Sequence, residues 1–291
     1  MSDFVQQQNS ICDFNSSDSW VILSPIEQSI KRKIEAVGTP LKDWDIQINY
    51  GIKTGFNDAF IISIEKRNEI LANCRDAEER KRTEELIRPI LRGRDIKRYG
   101  YDWANLWLIA TFPSCHYDID QYPSVKQYLL SFGIERLEQT GKTHIVDGEK
   151  VKARKKTNNK WFETQDSISY WEDFSKPKLV YSEIVREPQF YLDKTGQFYP
   201  EATVFIMTGD GIEYLYHAFH TNIITYIFKR FYAGGGLGEE GYRYKKAFFE
   251  KLPIPKCLSI NINESTAEQQ LIKMFELSNE EIRFIESQQS L

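Results

Sequence analysis

The pattern of apolar and polar positions divides the chain into short helices and strands. Ser24 suits a helix N-cap, Pro25 the first helical position and Glu27 the capping-box position, and Gly38 suits the end of that helix. Further helices are predicted at residues 66–72, 77–87, 122–138 and 211–231, the last with Thr221 as an internal N-cap. Alternating or β-branched runs predict strands at residues 45–50, 59–64, 105–112, 178–183, 189–192 and 202–207.

The C-terminal segment carries the pattern of one long amphipathic helix. Ser265 and Glu268 have capping-box spacing and would open a helix that runs to residue 289. Its apolar stripe requires a partner surface and consists of Leu271, Phe275, Ile282 and Ile285. These elements together predict an α+β fold with a β-rich core, flanking helices and a long C-terminal helix. The predicted division is a flexible tail at 1–19, a main domain at 20–258 and a docking helix at 259–291.

Residues 140–159 show no clear helical or strand period. They are predicted to form a long loop or a loose hairpin. Segments of that length inside a compact domain are usually functional or disordered.

Composition places the chain among ordinary globular proteins. Of its 291 residues, 41% are hydrophobic, 14% aromatic and 27% charged, which excludes wholesale disorder. The four cysteines lie far apart without a C-x-x-C pair, so neither a zinc site nor a disulfide framework is indicated. The sequence shows neither an export signal nor an apolar run long enough to cross a membrane, and we expect a reducing, cytoplasmic setting.

Positive charge is concentrated despite a net charge of −4. Residues 88–99 hold five Lys/Arg against one acid, residues 142–160 hold seven against two, and residues 229–251 hold six against three. Residues 256–291 instead hold six acids and three basic residues. The acidic C-terminal segment therefore masks a basic middle.

The strings that resemble catalytic motifs lack the context that catalysis needs. The G-x-G-x-x-G match at 236–241 follows a predicted helix instead of a strand, and the GKT at 141–143 lacks the first glycine of a P-loop. The sequence contains no G-x-S-x-G elbow, no Asn-Pro-Pro-Tyr string and no carboxylate–lysine cluster typical of a metal-dependent nuclease. No catalytic residue and no metal site is predicted, and binding is the favoured role.

Three basic patches interleaved with amides and aromatics predict a nucleic-acid face. In the first patch Gly93 would let the backbone approach a ligand closely. The predicted phosphate-binding residues are Arg92, Arg94, Lys97, Arg98, Lys245 and Lys246. The residues predicted to contact base edges are Lys53, Asn57, Lys155, Asn158, Asn159 and Arg243. Each patch alone is equally compatible with a solvated surface, and Gly51, Gly55 and Asn57 with a simple turn.

Several strings in order resemble a known family. They are GIKTGFNDAFII (51–62), IRPILRGRDIKRY (87–99), YPSVKQYLLSFGIERLE (122–138), KPKLVYSEI (176–184), FYLDKTGQFYP (190–200) and RYKKAFFEKLPIP (243–255). This series resembles the TaqI-like C-terminal specificity domain, the target-recognition part of type IIG restriction–modification enzymes and adenine-specific DNA methyltransferases. It is similar also to type I specificity subunits. The resemblance covers roughly residues 20–255, and residues 140–159 match least well.

The resemblance implies a module that recognises a specific sequence in double-stranded DNA and positions a separate catalytic domain. That domain would bind S-adenosylmethionine and methylate a flipped adenine. No cofactor is therefore expected in this chain, whose start corresponds to the point where the catalytic part of such enzymes ends. The expected partners are duplex DNA and a methyltransferase domain or subunit. The alternative interpretation is a protein-interaction scaffold that docks a methyltransferase or another partner subunit without reading DNA itself.

Overall fold

Short helices and runs of strands follow one another along the chain in a computed structural model that describes residues 23–233, 241–259 and 262–288. The α-helices are α1 (Pro25–Val37), α2 (Asn57–Phe60), α3 (Ile64–Ala72), α4 (Ala77–Leu86), α5 (Pro123–Leu130), α6 (Ile134–Leu137), α7 (Ile212–Phe219), α8 (Asn222–Ile227), α9 (Lys246–Phe249), α10 (Ala267–Met274) and α11 (Asn279–Ser287).

Most strands are short. They are β1 (Thr39–Pro40), β2 (Ile46–Tyr50), β3 (Ile61–Ser63), β4 (Ile87–Leu91), β5 (Ile96–Lys97), β6 (Gly100–Tyr101), β7 (Leu106–Ile109), β8 (Thr143–Val146), β9 (Glu149–Lys152), β10 (Lys178–Ser182), β11 (Ile184–Val185), β12 (Phe190–Asp193), β13 (Tyr199–Pro200), β14 (Val204–Gly209), β15 (Tyr242–Arg243) and β16 (Pro253–Ile254). The predicted α+β class is confirmed.

The chain divides into two compact units. The helical unit comprises the described parts of residues 1–47, 183–190 and 209–291, and the sheet unit comprises residues 48–182 and 191–208. The predicted boundaries at 19 and 258 stay predictions. The predicted tail at 1–19 and most of the glycine string at 236–241 lie outside the described residues.

The sheet unit contains two four-stranded sheets. One has the order β12-β10-β14-β2 and the other β13-β4-β7-β3, with β13 parallel to β4 and β7 antiparallel to both β3 and β4. Apolar side chains from these sheets and from the helices and turns around them form one core, in which Phe60, Leu108, Leu129, Phe174 and Ile206 are fully buried. Continuous burial along β10 and β14 matches strands covered on both faces.

The helical unit begins with the predicted capping box. The Ser24 side chain accepts from the Glu27 backbone N–H and Glu27 accepts from the Ser24 N–H, with Pro25 in the first turn. The predicted Thr221 N-cap is confirmed as well, at the start of α8. Small antiparallel pairs, β1 with β16 and β11 with β15, complete this unit.

The C-terminal region forms two helices, so the predicted single helix at 265–289 is wrong. The Ser265 capping box does not form, because the Glu268 carboxylate instead accepts from the backbone N–H groups of Asn222 and Ile223 at the start of α8, at 2.7 and 3.0 Å. A capping box does open α11, between Ser278 and Glu281. The predicted apolar stripe is largely confirmed, because Leu271, Phe275 and Ile285 are buried where α10 and α11 pack on α7 and α8.

Two further predicted elements each consist of two shorter elements in the structure. The predicted strand at 59–64 is a turn of helix, α2, followed by the three-residue strand β3. The predicted helix at 122–138 is two helices: α5 ends at Leu130, and Gly133, with a φ of 85°, is the N-cap of α6. None of the described helices is long and apolar enough to cross a membrane.

Candidate nucleic-acid interface

A buried arginine organises the segment between α6 and residue 165. The Arg154 guanidinium donates to the carbonyl oxygens of Leu137, Thr54, Glu163 and Trp161 at 2.6–2.8 Å. Arg154 is only 4% exposed, and its Cζ lies 5.0 Å from the centre of the Phe60 ring. Burial lowers the pKa of Arg154 to about 10, so the side chain keeps its charge at neutral pH. One cation therefore ties three stretches of backbone together.

Gln165 makes a second bridge, from the turn at Lys53 to the loop at 155–159. Its backbone N–H donates to the Lys53 carbonyl at 2.9 Å, and its side-chain amide donates to the Lys155 carbonyl at 3.3 Å. The Gln165 backbone carbonyl accepts a hydrogen bond from Asn159 Nδ2 at 2.9 Å. A Cβ at Gly55, where φ is 74°, would lie 2.4 Å from Gln165 Oε1, so this close approach requires glycine. The bridge brings three predicted base-contacting residues to one place, Lys53 and Lys155 through their backbone and Asn159 through its side chain.

The predicted base-contacting residues of the sheet unit differ in exposure. Lys53 is 59% exposed and its ammonium lies 4.0 Å from Asp166 Oδ2. Lys155 and Asn158 are exposed. Asn57 is exposed at the first position of α2, where its Oδ1 accepts from the Thr54 hydroxyl at 2.6 Å.

Asn159 is the most constrained of these residues. Its side-chain amide donates to the carbonyls of Thr164 and Gln165, at 3.2 and 2.9 Å. It therefore shapes the loop whether or not it contacts a base, and its predicted contact stays a prediction. A cleft of about 260 Å³ opens beside it, with Gln139, Thr157, Asn158 and Trp161 in its lining.

The first basic patch lies on the sheet unit and is mostly exposed. Arg94, Lys97 and Arg98 are exposed, and the Lys97 ammonium donates to the Arg94 carbonyl at 2.9 Å. Arg92 differs, because its guanidinium makes two hydrogen bonds to the Asp95 carboxylate, at 2.8 and 3.0 Å, and is only 21% exposed. The hydrogen bond to Asp95 raises the pKa of Arg92.

The close approach at Gly93 serves the fold and not a ligand. A Cβ there would lie 2.8 Å from Ser182 Oγ and 3.0 Å from Thr203 Oγ1, and the Gly93 N–H donates to Thr203. The expectation that Gly93 faces a ligand is therefore wrong.

The remaining predicted residues belong to the helical unit. Arg243 is half-buried in β15 and pairs with Ile184 of β11. Lys245 is exposed, and the Lys246 ammonium lies 3.6 Å from Glu250 Oε1. The structure thus groups Lys53, Asn57, Lys155, Asn158 and Asn159 in one unit and assigns the third patch to the other unit.

A buried ion pair joins two of the family-like strings, those at 176–184 and 190–200. Lys178 and Asp193 are both fully buried, with Nζ and Oδ2 2.7 Å apart, and Lys178 also donates to the Phe174 carbonyl. The Asp193 carboxylate accepts in addition from the backbone N–H groups of Gln197 and Phe198, which fixes the turn after β12. Burial lowers the pKa of Lys178 and Asp193 opposes that shift.

Arg154 and Gln165 were not among the predicted site residues. Gln165 carries no sequence signal that distinguishes it from a surface glutamine. Arg154 is the one arginine in a run of lysines, and a fork that donates to several acceptors at once requires arginine. Across the described residues, no three His, Cys, Asp or Glu side chains come together as a metal site.

No family model matches the chain. The sequence is 20% identical over 250 residues to the type II methyltransferase M.PaeR7I of Pseudomonas aeruginosa, a match that covers 84% of this chain and 38% of that protein. The chain is similar to a restriction–modification methyltransferase. It spans well under half the length of that curated relative.

Two solved structures align with most of the chain at low TM-scores. The type IIG restriction endonuclease BpuSI aligns with a TM-score of 0.48 and 10% identity, over 87% of this chain and 28% of that enzyme. The type IIL restriction-modification enzyme MmeI, in complex with DNA, aligns with a TM-score of 0.42 and 12% identity, over 79% and 27% of the two chains.

Proposed function

We propose that the chain is a sequence-specific recognition module for double-stranded DNA in a restriction–modification system of the type IIG kind. It would position a separate adenine-specific methyltransferase domain or subunit, which would bind S-adenosylmethionine and perform the methyl transfer. Catalysis is assigned to that partner and not to this chain.

The observation that carries the proposal is the convergence around Arg154 and Gln165. Two segments far apart in sequence, the turn at Lys53 and the loop at 155–159, meet there. The Arg154 guanidinium donates to the Thr54 carbonyl, and Gln165 donates to the Lys53 carbonyl through its backbone N–H and to the Lys155 carbonyl through its side chain. Both segments carry exposed cations and amides, which are the side chains that read base edges. The similarity to a type II methyltransferase supports the same function independently of the geometry.

The exposed cations of the first patch supply the complementary role. Arg94, Lys97 and Arg98 can contact phosphates, which anchor a protein on DNA without reading its sequence. Arg92 is a poorer phosphate ligand, because its guanidinium is already bound to Asp95.

Selection from a randomised duplex library tests the proposal directly. The purified chain is expected to enrich a defined sequence motif, whereas an Arg94→Glu/Arg98→Glu variant with an unchanged circular dichroism spectrum should recover far less DNA. Recovery of an unenriched library by the folded wild-type chain would contradict sequence-specific recognition. A double variant that recovers as much DNA as wild type but no longer co-purifies with a methyltransferase subunit would favour the protein-interaction scaffold over DNA recognition.

A further inference from the structure

The basic segment at 140–159 contains a regular antiparallel hairpin. Strands β8 and β9 pair Thr143 with Lys152, His144 with Val151, Ile145 with Lys150 and Val146 with Glu149. Asp147 and Gly148 form the two-residue turn with φ values of 49° and 85°, which is the backbone that a type I′ turn needs. The ladder continues below the strands, since Ala153 N–H donates to the Lys142 carbonyl and Gly141 N–H to the Arg154 carbonyl.

The hairpin is anchored at its base to the sheet unit. Arg154 follows the second strand directly, and its buried guanidinium binds four carbonyls outside the hairpin. The Arg154 backbone N–H donates to the Glu138 carbonyl at 2.9 Å, next to α6. The ribbon is thus positioned before any ligand arrives, which reduces the ordering cost of binding.

The two faces of the hairpin have different environments. Side chains alternate between faces, so His144, Val146, Glu149 and Val151 share one face, on which Glu149 is exposed and the other three are half-buried. His144 Nε2 lies 3.8 Å from Glu138 Oε2.

The opposite face points to solvent. Thr143, Ile145, Lys150 and Lys152 are all exposed, and Ile145, at 76%, is the most exposed large hydrophobic residue in the described part of the chain. We refer to these four residues as the outward face. Packing does not account for an isoleucine held between two lysines on this surface.

We propose that this hairpin enters the major groove of duplex DNA and that its outward face reads base edges there. This inference rests on the proposed function and makes it more specific. The major groove admits a two-stranded β-ribbon, and the four side-chain types match its chemistry. Ile145 is suited to the thymine methyl group, Lys150 and Lys152 to guanine O6 and N7, and Thr143 to either donor or acceptor edges.

Geometry and charge support this assignment. Residues two apart on a strand are about 6.7 Å apart, and base pairs stack about 3.4 Å apart, so Thr143 and Ile145 match a spacing of roughly two base-pair steps. Lys150 and Lys152 bring positive charge to a face without a carboxylate, because Glu149 belongs to the opposite face and Asp147 to the turn. The outward face is therefore complementary to a polyanion.

Library selection with hairpin variants tests the inference. Ile145→Ala is expected to bind a duplex without the selected motif with a Kd within about twofold of wild type. It should lose the preference for at least one T·A pair in that motif. Lys150→Ala/Lys152→Ala should lose the preference for at least one G·C pair. Ile184→Ala is the matched control, because Ile184 is 52% exposed but belongs to the helical unit.

Replacement of thymine by uracil in the selected motif locates the contact in the groove. The C5 methyl group lies in the major groove, so the substitution should weaken wild-type binding by roughly fivefold or more at one position. The same substitution should have no further effect on Ile145→Ala, because that variant has already lost the methyl contact.

The outcomes separate this inference from the proposed function. A wild-type chain that enriches no motif would overturn both. A wild-type chain that enriches a motif, together with hairpin variants that enrich the same motif equally strongly, would overturn the hairpin assignment alone and leave sequence-specific recognition standing.

Discussion

Arg154 and Lys178 are both buried cations, and the protein stabilises them differently. Lys178 has a buried carboxylate partner in Asp193, whereas the Arg154 guanidinium binds backbone carbonyls on four residues. Loss of one partner from a buried pair leaves an uncompensated charge, whereas loss of the guanidinium leaves several carbonyls without a donor. Loss of Lys178 or Asp193 should therefore lower the stability of the sheet unit, whereas loss of the Arg154 guanidinium should loosen the base of the hairpin.

Lys178→Met or Asp193→Asn is expected to destabilise the sheet unit by about 3–5 kcal/mol, because each leaves one buried polar partner uncompensated. The double variant Lys178→Met/Asp193→Leu should recover much of that loss, since both groups are then apolar. Urea denaturation gives the free energies, and Lys156→Met, at an exposed lysine of the same unit, should leave the midpoint unchanged. Single variants with wild-type midpoints would show that the pair contributes little.

Arg154→Lys is expected to loosen the hairpin base, because an ammonium cannot replace a planar fork that reaches several carbonyls. Amide hydrogen exchange at Gly141, Ala153 and Arg154 should accelerate by about tenfold or more while the β10–β14 ladder stays protected. Lys156→Ala, at an exposed neighbour, is the control. Equal exchange in Arg154→Lys and wild type would contradict the role given to this residue.

At the scale of elements, local signals were informative where the contact partners lie close in sequence. The capping box of α1 is complete within four residues and was predictable. The Asp147–Gly148 pair between alternating segments was an equally local signal for a hairpin, although the surrounding lysines and polar residues obscure the alternation. Gly133 was the visible sign that residues 122–138 do not form one helix.

Contacts distant in sequence account for the elements that could not be predicted. Glu268 caps α8 and not its own helix, which depends on a hydrogen bond across 46 residues. Arg154 bonds to Thr54 across 100 residues, so its burial in a lysine-rich run has no local cause. The same holds for the candidate site. Its exposed cations could be predicted from the sequence, whereas Arg154 and Gln165, which assemble it through contacts distant in sequence, could not.

Glu281 gives α11 a pH-dependent link to α1. Burial raises the pKa of its carboxyl, but hydrogen bonds from Lys33, the Ser278 backbone and Ser29 outweigh that effect and lower it below its usual value. A lowered pKa in the folded state means that this stabilisation is complete above about pH 4.5, the usual value, and is lost as the pH falls through the folded-state pKa.

Glu281→Gln is therefore expected to destabilise the helical unit at pH 7 by about 1–3 kcal/mol, and the difference from wild type should shrink as the pH falls below about 4.5. Urea midpoints across that range measure it. Glu286→Gln is the control on the same helix, at an exposed position. A difference independent of pH would show that the carboxylate charge is not the cause.

At the scale of the whole molecule, the uneven charge distribution is consistent with the proposed function. The acids of residues 256–291 take part in the helical unit through Glu268 and Glu281, so part of the net negative charge has a structural use. The cations at Arg94, Lys97, Arg98, Lys150 and Lys152 are exposed on the sheet unit. A net charge of −4 is therefore compatible with binding to a polyanion.

The salt dependence of duplex binding, measured by fluorescence anisotropy with a labelled random duplex, tests most directly whether the chain binds DNA. We expect log Kd to rise linearly with log salt concentration, by about 0.9 for each phosphate contacted, and Arg94→Ala/Arg98→Ala to lower the slope by about 2. Lys42→Ala/Lys81→Ala, at exposed lysines outside the basic patches, should keep the wild-type slope. If the folded chain did not bind the duplex, or bound it equally at all salt concentrations, it would not be a DNA-binding module.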